Sequence, residues 1–356
     1  MSEPATPQPW SGPIVAGTLL AVGAAVSFGV TPPILQRLGG GVGSFGVAAL
    51  LYAGAAALAA VTRGADREAS VTRADLPRVA LLALFGAFAA PVLLAVGLKH
   101  SSGASASLML NLESVLTVAL GWAVHKEGVG ARVWAASGII ALGGALLALD
   151  RGTAGLAVDV GLIAVVGATF FWALDNTLSR PLAQRDPASV VVAKGSLGAL
   201  ASGLVAVAVG ESLPAVGPAA GILLCGALGY GGSLRLYLLA QRTLGSARTG
   251  SVFAVAPFVG ALTAVALGDP LGGVLTVAGG LCMAFGVVLH LTESHDHEHT
   301  HDALTHAHAH RHDDGHHDDH THEGLAPGVV HTHAHTHLPR THAHAHGEDL
   351  HHQHHG

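Results

Sequence analysis

The chain is poor in charge, cysteine and aromatic residues, and each scarcity excludes a class of protein. Charged residues make up only 11% of the 356, where a soluble domain carries about a quarter. The two cysteines, Cys225 and Cys282, lie inside apolar runs and form no CxxC spacing. Neither a disulfide framework nor a thiolate zinc site is therefore indicated. Aromatic residues amount to 4%, too little bulk for a large water-soluble core. No basic patch exists, so no nucleic-acid partner is expected. The chain also lacks HExxH, P-loop, GxSxG and dinucleotide signatures in any plausible context, which argues against an enzyme and against direct ATP coupling.

What is abundant is apolar sequence with small residues: half of the chain is hydrophobic and 48 residues are glycine. A membrane-crossing helix needs about 20 mostly apolar residues. Ten such segments follow one another, at about 14–36, 43–61, 78–98, 103–123, 132–149, 157–179, 188–209, 218–240, 247–267 and 271–291. The expected fold is an all-α membrane protein whose partner is the lipid bilayer. Small residues let helix backbones approach closely in lipid. The amino-terminal MSEPATPQPWSGP has no positive n-region, which argues against a cleaved leader.

Orientation follows from the loop cations. One set of alternate joints holds Arg63, Arg67, Arg73, Arg78, Lys126, Arg132, Arg180, Arg185, Arg242 and Arg248. The other set holds only Arg37, Lys99 and Arg151. The cation-rich side is expected to be cytoplasmic, which puts both termini in the cytoplasm of a bacterial-type cell, with the protein multi-pass in its inner membrane.

The chain also repeats itself. Residues 102–143 and 245–286 share a layout: a small-residue turn, an interrupted apolar helix, an acidic joint and a glycine-rich helix. The joints are HKEGVG with Glu127 and GDPLGG with Asp269. Five helices, an odd number, separate the copies, so the second must run inverted. Inverted repeats with a site near the midplane recur among transporters.

The stretch LLAVGLKHSSGASASLMLNLESVLTVALGWAVHKEGVGARVWAASGIIALGGALLAL resembles the EamA repeat of the drug/metabolite transporter superfamily. LYLLAQRTLGSARTGSVFAVAPFVGALTAVALGDPLGGVLTVAGGLCMAFGVVL resembles it more closely, with the mid-helix proline, Pro257, common in that family. The resemblance implies a cytoplasmic segment at 1–13, a first five-helix repeat at 14–150, a second inverted one at 157–291, and an added tail at 292–356. It implies a transporter, in a superfamily that carries amino acids, sugars, nucleotide sugars, drugs and other metabolites. It leaves the cargo open. In the first copy, Glu113 and Ser114 stand where a proline is common. That departure places a carboxylate at a helix centre and argues against a purely apolar substrate.

Ionisable groups within membrane helices cost roughly 2.5–3.5 kcal/mol each at a helix centre and are usually functional. Glu113, Asp175, Lys194 and Arg235 stand out. Two acids and two bases suggest internal pairing around a polar cavity. Asn111, Asn176 and Tyr237 lie beside them in sequence, and Pro257 is expected to shape the cavity. Lys194, near the cytoplasmic end, has a stem long enough to snorkel outwards. Glu113, near mid-span, is the best single candidate for a solute- or proton-coupled carboxylate, because its protonation state depends on its neighbours. A fixed salt bridge that only orients helices is the structural alternative.

The tail is the most distinctive segment. Every histidine except His100, His125 and His290 lies there, largely in HxH units. The candidate metal ligands are His295, His297, His299, His301, His306, His308, His310, His331, His333, His335, His337, His342, His344 and His346. In an extended chain, residues two apart share a side, so each HxH offers two imidazoles to one ion. Imidazole suits Zn, Ni, Co and Cu, although no cofactor is required for the fold. The tail has too few apolar residues for a core, and disorder is expected without metal.

The leading reading is a secondary transporter, an exporter of a small organic solute by alternating access, with a cytoplasmic metal-binding tail. A transition-metal (Zn/Ni/Co) permease or exporter fed by the tail is the alternative. A membrane-anchored metal sensor is a minor one. Oligomeric state stays open, a homodimer included.

Overall fold

A computed structural model describes residues 12–63, 70–126, 128–152, 160–182, 185–244, 246–291, 296–301, 304–310, 331–337 and 340–345. Ten helices in it are long and apolar enough to cross a membrane: Val15–Gly39, Ser44–Thr62, Arg73–His100, Gly103–His125, Ala131–Asp150, Val160–Ser179, Pro187–Ala208, Val216–Gln241, Arg248–Ala266 and Val274–Leu291. We number these spans one to ten. They coincide, to within a few residues at each end, with the segments expected from hydropathy. Joints are short, so neighbouring spans run antiparallel. An even number of crossings brings the first and last spans' outer ends to one face, here the terminal face; the other is the far face.

The bundle is held by close backbone approach. A Cβ at Gly143 in span five would come within 2.6 Å of the Gly279 carbonyl in span ten, and one at Gly279 within 2.6 Å of the Gly143 carbonyl. A Cβ at Gly226 in span eight would overlap the Leu51 carbonyl in span two. In lipid no water-driven apolar force holds helices together, so this intimacy and its dispersion contacts do. The central core gathers Leu51, Leu94, Val165, Ala168, Trp172 and Ile222. Leu19, Leu200, Leu262, Leu281 and Phe285 remain exposed on the perimeter, as a lipid-facing surface requires. At the terminal face Trp122 and Trp134 meet edge to face at 5.9 Å, both exposed, in the manner of interfacial aromatic anchors.

Spans four and nine are broken at corresponding places. Span four consists of Gly103–Met109 and Leu112–Leu120, followed by a π-helical turn, Gly121–His125. The second half of span nine is Ala256–Ala266, preceded by Ser246–Phe253. The last residues before each second half, Asn111 and Val255, keep right-handed backbone angles and bond three residues back, to the Leu108 and Val252 carbonyls. Counting from them, Glu113 and Pro257 occupy the same second helical position. Proline explains the break in span nine, since it suits the first turn of a helix. In span four the break forms without proline, and the carboxylate stands at a helix start, where the helix dipole favours negative charge.

The far face is stitched by carboxylates that cap helices of the other half. Glu211, after span seven, accepts from the Phe45 and Gly46 amides at 3.2 and 2.8 Å, at the start of span two. Asp150, ending span five, accepts from the Gly273 amide at 2.7 Å and the Thr276 hydroxyl at 2.6 Å, at the start of span ten. Asp269, after span nine, accepts from the Gly103 amide at 2.7 Å, at the start of span four, and pairs with Arg37 at 3.4 Å. Each satisfies helix-terminal N–H groups that have no partner within their own helix. Asp269 thereby acquires a role its place in the repeat did not disclose. Its counterpart Glu127 lies outside the described residues.

On the terminal face, Arg63 pairs with Asp186 at 3.2 Å and Arg185 with Asp75 at 3.0 Å, again joining the halves. Past span ten the described backbone forms four short strands, β1 (Asp296–His301), β2 (Leu304–His310), β3 (His331–His337) and β4 (Arg340–Ala345). β1 pairs with β4 and β2 with β3, both antiparallel. Alternation of His with Thr and Ala is an extended-chain pattern, and these ladders supply no apolar core.

Gly226→Leu should lower the thermal unfolding midpoint of the detergent-purified protein, by a loss of about 1–3 kcal/mol from overpacking. Gly138→Leu, where an added Cβ meets nothing within 4 Å, should leave it within error. Equal midpoints for the two would refute close glycine packing as the source of cohesion.

Candidate functional site

Span six carries the residues that gather the site, because Asp175 and Asn176 are adjacent and reach different neighbours. The Asn176 amide donates to Glu113 Oε1 at 2.8 Å, tying spans six and four. Asp175 Oδ2 accepts from the Lys194 ammonium, tying spans six and seven. Asp175 is 5% exposed. Glu113 is partly exposed and is bonded to the residue next to buried Asp175, so it borders the interior of the bundle. Four of the expected residues thus converge: Glu113, Asn176, Asp175 and Lys194. Lys194 turns its long stem inwards to the carboxylate.

Room for the Asp175 carboxylate comes from Gly86 in span three, where any Cβ would overlap it. Gly86 sits in a π-helical turn, Ala83–Ala89, just ahead of Pro91. Its carbonyl accepts from the Tyr52 hydroxyl, and from Trp172 Nε1 at 3.1 Å. Tyr230 lies in another π-helical turn, Cys225–Gly232. Its ring centroid is 5.5 Å from Phe28, 5.7 Å from Tyr52 and 6.2 Å from Trp172. The charged cluster therefore abuts an aromatic wall drawn from spans one, two, six and eight. π-turns of this kind often mark functional sites in membrane and soluble helices alike.

The remaining expected residues stand elsewhere. Asn111 is buried and donates to the Leu108 carbonyl at 2.9 Å, with Met283 Sδ at 3.9 Å. It braces the break in span four against span ten. Arg235 is exposed, and its guanidinium donates to the Thr62 carbonyl at the end of span two. Expected to lie at the central site, it instead stabilises a helix C-terminus, where unpaired carbonyls attract a cation. Tyr237 stacks edge to face on Phe253 at 5.2 Å, and packs the junction of spans eight and nine. Pro257 begins the second half of span nine. Tyr52, Trp172, Tyr230 and Gly86 were missed as a group. A signal was present: the chain has only three tyrosines, and two of them meet beside Asp175.

In the tail, His295 and His346 lie outside the described residues. For the other twelve candidate ligands the backbone register is described. It sets His297 opposite His344, His299 opposite His342, His306 opposite His335, His308 opposite His333 and His310 opposite His331. Among the described residues, no group of three or more His, Cys, Asp or Glu is arranged to hold a metal ion.

With this geometry in view, the comparisons with known proteins fall into place. Residues 15–149 match the family described as the EamA-like transporter family. The first half is thus similar to an EamA-like transporter domain. An uncharacterized transporter of Methanothermobacter thermautotrophicus is 28% identical over 245 residues, 65% of this chain and 69% of the relative. A protein known from a crystal structure matches with a TM-score of 0.54 and 17% identity, over 77% of this chain and 96% of that one. The last match bears on fold alone. Together, the ten apolar spans and the first two matches describe a multi-pass membrane protein similar to EamA-like transporters.

Removing Lys194 leaves Asp175 charged and unpaired, at a cost of about 3–5 kcal/mol, whereas replacing a buried pair by apolar side chains is often neutral. Lys194→Met alone should markedly lower the unfolding midpoint. Asp175→Leu/Lys194→Met should recover most of that loss, yet stay inactive in transport. A double variant no more stable than the single one would count against the pair as a buried ion pair.

Proposed function

We propose that this chain is a secondary transporter that exports a small organic solute by alternating access, with Glu113, Asn176, Asp175 and Lys194 as its polar site. The observation that carries the reading is the junction at span six. Consecutive residues there bind a carboxylate of span four, at its break, and a cation of span seven. The site so joins both halves, as the cargo site of an inverted-repeat transporter does. Glu113, at a helix start and held by a single neutral amide, is the group best suited to change protonation or partner during the cycle. Asp175, locked to Lys194, is the fixed member.

Orientation with both termini in the cytoplasm rests on the loop cations, and makes the far face the outer one. Arg63–Asp186 and Arg185–Asp75 then close the cytoplasmic side, while the caps at Asp150, Glu211 and Asp269 close the outer side. The metal-permease reading is disfavoured because the charged groups of the cluster, two carboxylates and an ammonium, lack the His or thiol partners that a divalent ion would need. Transport rather than catalysis is what the family match supports.

The tail, in this proposal, binds transition metal ions at the cytoplasmic face through its HxH units. Binding requires neutral imidazoles, so it weakens as pH falls through the imidazole range near 6.5. A role in buffering metal beside a transporter of something else fits a segment that contributes no span.

In proteoliposomes screened against metals and metabolites, Glu113→Gln should reduce flux of the transported solute by at least about tenfold, the scale of a lost 1.4 kcal/mol interaction. Wild-type flux with an unchanged pH profile would sink the role given to Glu113. Deleting the residues after Ser294 should remove most Zn or Ni binding by purified protein, measured by equilibrium dialysis, and leave solute flux intact. An unchanged metal stoichiometry would show that the tail is not the binding segment.

A further inference from the structure

The outward placement of Arg235 alters the charge of the central cluster. Its charged members are Glu113, Asp175 and Lys194, two carboxylates against one ammonium. With all three ionised, the cluster carries one net negative charge. Two further polar atoms there are unsatisfied: Asp175 Oδ1 and the Tyr230 hydroxyl are both buried without a hydrogen-bond partner. Both belong to the same neighbourhood, since the Tyr52 hydroxyl and the Asp175 carboxylate both meet Gly86, and the Tyr52 ring lies 5.7 Å from that of Tyr230.

An uncompensated charge and an orphaned acceptor in a low-dielectric interior are costly, and native proteins rarely leave them so. The surrounding surface narrows what could satisfy them. The rings of Phe28, Tyr52 and Trp172 each have their centroids 5.5–6.2 Å from that of Tyr230. Aromatic faces carry negative potential and attract cations, most strongly when the cation is desolvated. A negative cluster and an aromatic wall both repel an anion. A neutral solute would leave the charge unbalanced. A monovalent cation with N–H donors and an apolar body answers all three features: the charge, the free carboxylate oxygen and the rings.

We propose that the site takes a monovalent organic cation, an amine or guanidinium with an apolar or aromatic body, held between the four rings and the carboxylates of Glu113 and Asp175. This deepens the transport reading and rests on it. The experiment uses the full chain in nanodiscs and three probes of one ring and three charges: benzylammonium, benzoate and benzyl alcohol. Binding is read by calorimetry and by tryptophan fluorescence.

Benzylammonium should bind at least about tenfold more tightly than the other two, the scale of one desolvated cation–π contact. Glu113→Gln and Tyr230→Leu should each abolish that preference, while Tyr230→Phe, which keeps the ring, should retain it. Unfolding midpoints of the variants, and competition with solute efflux in vesicles, guard against a misfolded variant deciding the result. Preferential binding of benzoate or benzyl alcohol that Tyr230→Leu weakens would overturn the cation class and leave the site standing. Benzylammonium binding indifferent to both Glu113→Gln and Tyr230→Leu would overturn the site itself. Equal affinity for the three probes, or none for any, would overturn the proposal.

Discussion

An ionised side chain in the hydrocarbon layer of a membrane must find a counter-charge or donors within the protein, and in this bundle that demand organises the interior. Asp175 is served by Lys194 from the next span, and Glu113 by Asn176 one residue further along the same helix. These bonds fix the rotation of span six relative to spans four and seven. They also force span three to present glycine at position 86, since the carboxylate fills the volume where a side chain would begin. Gly86 in turn turns its carbonyl to Tyr52 and Trp172. One buried carboxylate thus explains an ammonium, a glycine and two aromatic hydrogen bonds.

Much of this architecture is legible in the sequence because lipid imposes long-range rules that water does not. Ten long, mostly apolar runs demand ten helices, since any other backbone would leave polar groups unsatisfied. The odd spacing of the two copies requires inversion. The broken fourth and ninth spans are written less plainly. Pro257 announces one, while the other is recognised through the equivalence of Glu113 with Pro257. Four of the eight site candidates converge as intramembrane charge and amide led us to expect. Arg235 does not, because hydropathy reports depth along a helix but says little about which way a residue faces. The Arg235 guanidinium on its long stem reaches the nearest helix end, here Thr62. The aromatic wall was hidden for a similar reason. Tyr52, Trp172 and Tyr230 are far apart in sequence, and only packing brings their rings together.

The two faces differ in how they are closed, and that difference bears on how such a bundle moves. On the far face, Glu211, Asp150 and Asp269 are bonded to backbone amides that start helices of the other half. Such charge-assisted bonds to a helix N-terminus are among the stronger polar contacts. On the terminal face the ties are ion pairs, in which the Arg63 and Arg185 side chains are 37% and 29% exposed. Pairs open to water contribute little, about 0–1 kcal/mol. The terminal face should therefore part before the far face does.

The site has the properties that such a motion needs. Its two carboxylates are not equivalent: one is locked to an ammonium, the other held by a neutral amide. A rigid pair can hold three spans in register while the freer carboxylate, standing at the start of the second half of span four, changes partner. The break leaves this half-helix with its own first turn, so Glu113 can shift with it without disturbing Gly103–Met109, which Asp269 anchors on the far face. Pro257 confers the same articulation on span nine. The two hinges, one built on proline and one on a carboxylate, give a symmetric framework an asymmetric centre. Only one of the hinges carries charge, and that is the one that touches the site.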